Sequence, residues 1–255
     1  MLGHWLKKIF TLFTLMFVVA CATVYNPVVR NMSVKEARKE IISALSYRDK
    51  DLSIDVRVTT SKLVVTSKGY SGTKHYVATF GELARITGYT QGAMYRIDLS
   101  DGNEFMVWNN YRTDAGVARV ADAFLALKQN AIKQKKDSEE FEASFIESLD
   151  EYQKKAASKT DLPEEANRFK VQAEGAVKDK AFEDAADFYA QALKRAPWWP
   201  AGYFNHALVL GEIGDFELAR QNMQCYLKLV PDAPNARAAQ NKIYDWERLE
   251  NKNSN

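Results

Sequence analysis

The sequence predicts an α+β protein: an antiparallel β-rich region followed by an all-helical array with a capping helix. Three observations carry this. Short runs of alternating apolar residues, many of them β-branched or aromatic, fill residues 53–108 and are separated by turn residues. From residue 164 onward the pattern is helical and repeats at an offset of 34 residues. Ahead of both, an apolar stretch from Ile9 to Val19 ends close to Cys21. A length of 255 residues allows one or two domains. The net charge is only +2, which Lys7 and Lys8 account for, so there is no electrostatic footprint for nucleic acid.

The N-terminus reads in the order of an export signal. A short basic start, "MLGHWLKK", precedes eleven uncharged residues, "IFTLFTLMFVV", then a small residue and Cys21. A spanning helix needs about 20 apolar residues, and this run is too short unless it borrows "ACATVY". The residues Val18-Val19-Ala20-Cys21 resemble a bacterial lipobox. That resemblance implies cleavage before Cys21 and acylation of its thiol. The mature chain would then be held by more than one acyl chain, which gives stable anchoring. Ala22, rather than Asp, follows the Cys and implies export to the outer membrane, facing the periplasm, where the host has two membranes. The inner membrane and the cell surface stay open, as do an uncleaved anchor helix and a signal cleaved elsewhere. Residues 1–20 are then the signal. Residues 21–32 are a tether, because Pro27 and the lack of period argue against regular structure.

A β-rich unit is expected over 33–135. Ser33 and Glu36 form a capping-box signature before Ile41, Ile42 and Leu45, so a helix covers about 33–46. Strands follow at "SIDVRV", "KLVVTS", "HYVATF", the end of "ELARITGY", "AMYRIDL" and "NEFMVWN", six or seven in all. Asp101-Gly102 suits the positive φ angles of a tight hairpin turn between the last two. Val117, Val120, Phe124 and Leu127 place a covering helix after them, with Asp114 as its cap. This order resembles the pleckstrin-homology-like superfold over about residues 50–130, which implies a bent sheet plugged by its last helix. The superfold hosts both ligand binding and scaffolding. Arg57, Lys62, Lys68 and Lys74 are too scattered to make a phosphate site and read as a solvated rim. His75 has no ligand-type neighbour at useful spacing and reads as structural.

A linker helix is expected over 136–160. Phe141, Phe145, Leu149 and Tyr152 form one stripe, either core-facing or a docking face. "AASKTDLPEE" then breaks it, with Pro163 and the cap-like Asp161 and Glu164 marking a new start.

The repeat occupies 161–250, followed by a short tail over 251–255. At the offset of 34, Phe169 pairs with Tyr203, Ala173 with Ala207, Phe182 with Phe216, Ala185 with Ala219 and Pro197 with Pro231. These residue types at that period resemble two tetratricopeptide repeats, each a pair of antiparallel helices. Gly214 suits a left-handed C-cap in the second turn, where the first has Lys180. Trp198 and Trp199 of "PWWP" read as inter-repeat packing, with one exposed contact as the alternative. A final helix with Ile243, Trp246 and Leu249 facing back should cap the array.

The resemblance implies a protein-binding concave face built from the first helix of each repeat. By position it includes Asn167, Lys170, Glu174, Val177, Ala201, Phe204, Asn205 and Leu208. Lys170 and Asn205 match the carboxylate clamp of one subfamily, but Glu174 would repel a carboxylate, which rules the clamp out. No catalytic motif survives inspection, and three scattered histidines make no metal site. The sequence is therefore expected to encode a non-enzymatic lipoprotein without cofactor or metal. Its partners would be the membrane, through Cys21, and a protein, through the repeat groove. Its role would be assembly or stabilisation of an envelope complex. The rival reading is a module whose β-rich region binds a lipid headgroup or an envelope polymer.

Overall fold

The computed structural model describes residues 22–59, 61–70, 72–158 and 161–254. The expected signal peptide and the lipidation of Cys21 lie outside the described residues. The molecule is α+β, with an antiparallel β region in two sheets ahead of a run of helices.

Helix α1 (Val34–Leu45) starts where the capping box predicts. Ser33 Oγ accepts from the Glu36 amide, and the Glu36 carboxylate accepts from the Ser33 amide at 2.9 Å. One face of α1, with Ala37, Ile41, Ala44 and Leu45, is buried.

The strands are β1 (Thr23–Tyr25), β2 (Tyr47–Arg48), β3 (Ser53–Val58), β4 (Lys62–Gly69), β5 (Gly72–Thr79), β6 (Ile86–Gln91), β7 (Met94–Leu99) and β8 (Glu104–Met106). One sheet is the meander β2-β3-β4-β5, and the other runs β1-β6-β7-β8. All pairings are antiparallel, so alternate residues face the core. Leu63, Val65 and Ala78 are buried from the first sheet, and Ile97, Leu99 and Phe105 from the second. Two expectations change here. The stretch given to an irregular tether supplies edge strand β1, because Thr23 and Tyr25 pair with Thr90 and Gly88. The Asp101-Gly102 turn is wider than the two-residue form. Leu99 accepts from Gly102 and donates to Asn103, and only Gly102 has a positive φ, at 88°. That is the three-residue hairpin, in which only the last loop residue is left-handed.

Helix α2 (Asp114–Glu147) is a single 34-residue element. The expected covering helix and the first half of the expected linker helix are therefore continuous through 135–136. After Gly116 in the first turn, no Gly or Pro interrupts the run. Its first half buries Val117, Val120, Phe124 and Leu127 against the sheets. Its far end buries Phe145 in a second core made by the remaining helices. Helix α3 (Leu149–Ala157) follows, with Leu149 and Tyr152 half-buried on that second core. The aromatic stripe is thus core-facing, apart from Phe141, which remains exposed.

Helices α4 (Glu164–Lys178), α5 (Phe182–Arg195), α6 (Pro200–Glu212) and α7 (Phe216–Leu229) pack in sequence, and α8 (Ala236–Ser254) closes the array. The start of α4 differs in detail from the sequence expectation. Its N-cap is Pro163, with no side-chain capping bond, rather than Asp161.

The 34-residue period extends to the backbone. Ala181 and Asp215 have φ/ψ of −85°/65° and −86°/68°, and Ala196 and Val230 have −136°/68° and −136°/69°. Ala181 N–H donates to the Ala176 carbonyl and Lys180 N–H to Val177. Asp215 and Gly214 repeat this to Leu210 and Gly211. Both are Schellman caps, which need a left-handed residue. Lys180 takes that role at φ 57°, as Gly214 does at 79°. Ala173, Ala207, Ala185 and Ala219 are fully buried where the helices cross. Ile243 and Trp246 of α8 are buried against the array, with Leu249 half-buried.

The β region and the helices meet through charge. Lys35 Nζ lies 2.6 Å from Asp184, and Lys62 Nζ lies 2.6 Å from Glu250, which also takes Arg220 at 2.6 Å. The Arg38 guanidinium faces the carboxylates of Asp215, Glu183 and Asp187. Arg57 lies against Gly214.

Candidate functional site: a cleft across three successive helix starts

A cleft of about 1050 Å³ opens where the helical array presents the beginnings of its first helices. Its wall includes Asn167 of α4, Ala201 of α6 and Asn235 just ahead of α8, each 34 residues from the last. One turn deeper come Lys170 and Phe204, again 34 apart. Stacked repeats bring equivalent positions to one side, so a single face of the array becomes the wall.

Aromatic and proline side chains dominate. Trp198 and Trp199 sit on the corner between α5 and α6, whose tight turn is held by Trp199 N–H donating to the Ala196 carbonyl. Phe204 meets Tyr226 edge to face, with centroids 5.1 Å apart. The Tyr226 hydroxyl donates to Asn235 Oδ1, which fixes both side chains at the cleft wall. Pro200, Pro231 and Pro234 add rigid apolar surface.

The polar groups are few and mixed in sign. Lys155 from α3 lies over the Trp198 ring, 4.5 Å from its centroid, and pairs with Glu151 at 2.6 Å. Lys170 lies 3.9 Å from Glu174. Asp161 and Asp232 also line the wall. Trp198 Nε1 is buried with no hydrogen-bond partner in the described structure. Apolar walls with a few fixed polar groups suit a peptide or helix better than a highly charged ligand.

Four of the eight predicted groove residues converge here: Asn167, Lys170, Ala201 and Phe204. The others do not line the cleft. Glu174 sits one turn along α4 from Lys170. Val177 and Leu208 are half-buried against the helical core, and Asn205 hydrogen-bonds the Tyr189 hydroxyl. The sequence reading missed Tyr226, Val230 and the loop 231–235. The period held the signal for part of this, since Asn235 is Ala201 shifted by 34. Lys155 and Leu162 carried no signal, because only the return of the chain after α3 brings them here.

Elsewhere, His75 is exposed and bonded through Nδ1 to Thr66 Oγ1 at 3.1 Å. Cys225 is a free thiol, and burial pushes it up to about 12. No family model matches this chain, and no curated protein matches it.

Proposed function

We propose that this protein is a lipid-anchored scaffold of the bacterial envelope that binds a protein segment in the cleft of its helical array. In this reading Cys21 is the acylated N-terminus and the helices 164–250 are two tetratricopeptide-like repeats with a capping helix. The β region is pleckstrin-homology-like. The one observation that carries the binding role is the alignment of Asn167, Ala201 and Asn235 along one aromatic-walled cleft. Support for the repeats comes from the cap dihedrals and Schellman bonds that recur at 34 residues. Support for the β region comes from its order: a four-stranded meander, a three-stranded meander and then a long helix.

The rival reading, a headgroup or polymer site in the β region, loses two of its four cations. Lys62 is paired with Glu250 and Arg57 lies against Gly214, so both serve the contact with the helices. The scaffold reading assigns the chain no reaction of its own.

The test places a photo-reactive side chain at Ala201, inside the cleft, in the full chain expressed in its host. A discrete adduct is expected, lost when Phe204→Asp charges the cleft floor. In parallel, Cys21→Ser is expected to abolish acyl labelling and membrane association. Adducts at Ala201 that are indifferent to Phe204→Asp overturn the binding role. A Cys21→Ser protein that still carries label overturns the anchor.

A further inference from the structure

The outward face of the sheet β1-β6-β7-β8 is not uniform along its length. Val24 lies opposite Tyr89, Tyr89 opposite Arg96 and Arg96 opposite Met106. Directly opposed residues project from the same face. Met94, two residues before Arg96, belongs to that face as well. Val24, Met94 and Met106 are 57%, 41% and 40% exposed, whereas Ile97 and Phe105 on the inner face are buried. The acidic residues of the face, Asp98 and Glu104, lie at the end away from Met94, where both pair with Arg96.

The chain enters at the apolar end. Strand β1 is antiparallel to β6, with Thr23 opposite Thr90, so its N-terminal end lies on the side of Gln91 and the turn at Gly92-Ala93. Arg112 caps this tip. Its Nη2 donates to the Ala93 carbonyl at 3.0 Å, and its guanidinium lies 5.9 Å from the Tyr95 ring centroid. Two residues span at most about 7 Å, so Thr23 stays within that distance of Cys21. Strand β1 is also held from behind. The buried Asp122 accepts from the Tyr25 hydroxyl at 2.9 Å and the Val28 amide at 2.8 Å, and it pairs with Arg30.

We propose that this tip, with Met94 leading, Arg112 beside it and Val24 next along the face, rests in the headgroup layer of an anionic bilayer. The inference builds on the reading of Cys21 as the acylated residue. An anchor at Cys21 leaves too little chain for the body to swing clear. The surface nearest the anchor combines apolar side chains with an arginine, the composition that settles at a membrane interface. The acidic end of the face points away from the lipid. Helix α2 begins two residues after Arg112, and its 34 residues extend about 50 Å. The far end of that helix, where Phe145 enters the second core, is thereby carried away from the bilayer.

The test uses full-length lipoprotein purified from host membranes and reconstituted in vesicles of phosphatidylethanolamine and phosphatidylglycerol. An environment-sensitive fluorophore is attached at Met94→Cys or, as the comparison, at Tyr244→Cys on α8. The native Cys225 thiol, held largely protonated by burial, competes little for label. A nitroxide on the lipid headgroup is expected to quench position 94 severalfold more than position 244, and Arg112→Glu is expected to reduce the difference. If the labelled protein floats with the vesicles but the two positions are quenched alike, the tip contact is overturned and the anchor stands. If the purified wild type carries no acyl chain and does not float, the anchor reading fails and the tip contact fails with it.

Discussion

At the scale of single residues, the two repeats make their own comparison. Lys180 and Gly214 occupy equivalent left-handed positions, yet only glycine takes that conformation without a Cβ clash. Lys180→Gly should therefore stabilise the fold by about 0.5–1 kcal/mol, the steric relief being partly offset by a more flexible unfolded chain. Urea unfolding of the two proteins checks it. His206 offers a second test. Asn222 Nδ2 donates to the Leu218 carbonyl, so Asn222 Oδ1 is left to accept from His206 Nδ1 at 3.0 Å. Burial lowers its pKa from 6.5 to about 4. Between those values the unfolded chain holds more protons than the folded one, so stability falls as pH drops from 6.5 toward 4 and this group is silent outside that window. The full effect is about 3 kcal/mol. In His206→Gln, the slope of stability against pH between 6.5 and 4.5 should lose most of that contribution. The sequence made the left-handed role of position 180 legible through its partner at 214. It gave no sign that His206 would be buried, since the third dimension decides which face of α6 meets α7.

At the scale of elements, α2 joins the two cores. Its aromatic stripe was legible from spacing alone, but spacing left open whether that stripe met a core or a partner. Its continuity was not, because the charged stretch from Lys133 to Glu140 reads as a linker when no neighbour is in view. Those residues lie on a helix whose two ends are buried in different cores, and most of them face solvent, while the Ser138 hydroxyl donates to Gln221 Oε1 of α7 at 3.2 Å. Phe145 keys the far end, against Tyr152 and Tyr203 at centroid distances of 5.7 Å each. Phe145→Ala should cost about 3–5 kcal/mol, as a fully buried phenyl does. It should also speed hydrogen exchange over residues 141–157 more than over 114–131, which mass spectrometry resolves. Strand β1 teaches a similar lesson. Three residues after a Cys carry little β signal, and it is the open edge of β6 and the Asp122 carboxylate, 97 residues from Tyr25, that recruit them.

At the scale of the whole molecule, the β region and the helical array dock through opposite charge. Lys35, Arg38 and Lys62 on one side meet Asp184, Asp215 and Glu250 on the other. None of this was legible in a near-neutral composition with its signs mixed along the chain. Glu250 stands between two cations, Lys62 and Arg220, and is largely shielded from water. Removing its charge leaves those cations facing each other. Glu250→Gln should lower stability by about 1.5–3 kcal/mol. It should also blunt the loss of melting temperature that the wild type shows as sodium chloride is raised, since salt screens what remains of the pairing. Half of the groove positions chosen from the repeat pattern line the cleft, because they sit at the starts of first helices. Those further along face the neighbouring helices instead.

Site-specific photo-crosslinking in the native host tests the proposal that the aromatic cleft spanning three helix starts holds a protein partner. Probes at Ala201 and Asn235, which share the cleft, should yield the same discrete adduct, while a probe at Tyr244 on the outer surface of α8 should not. No adduct at either cleft position, or identical adducts from all three, would contradict it.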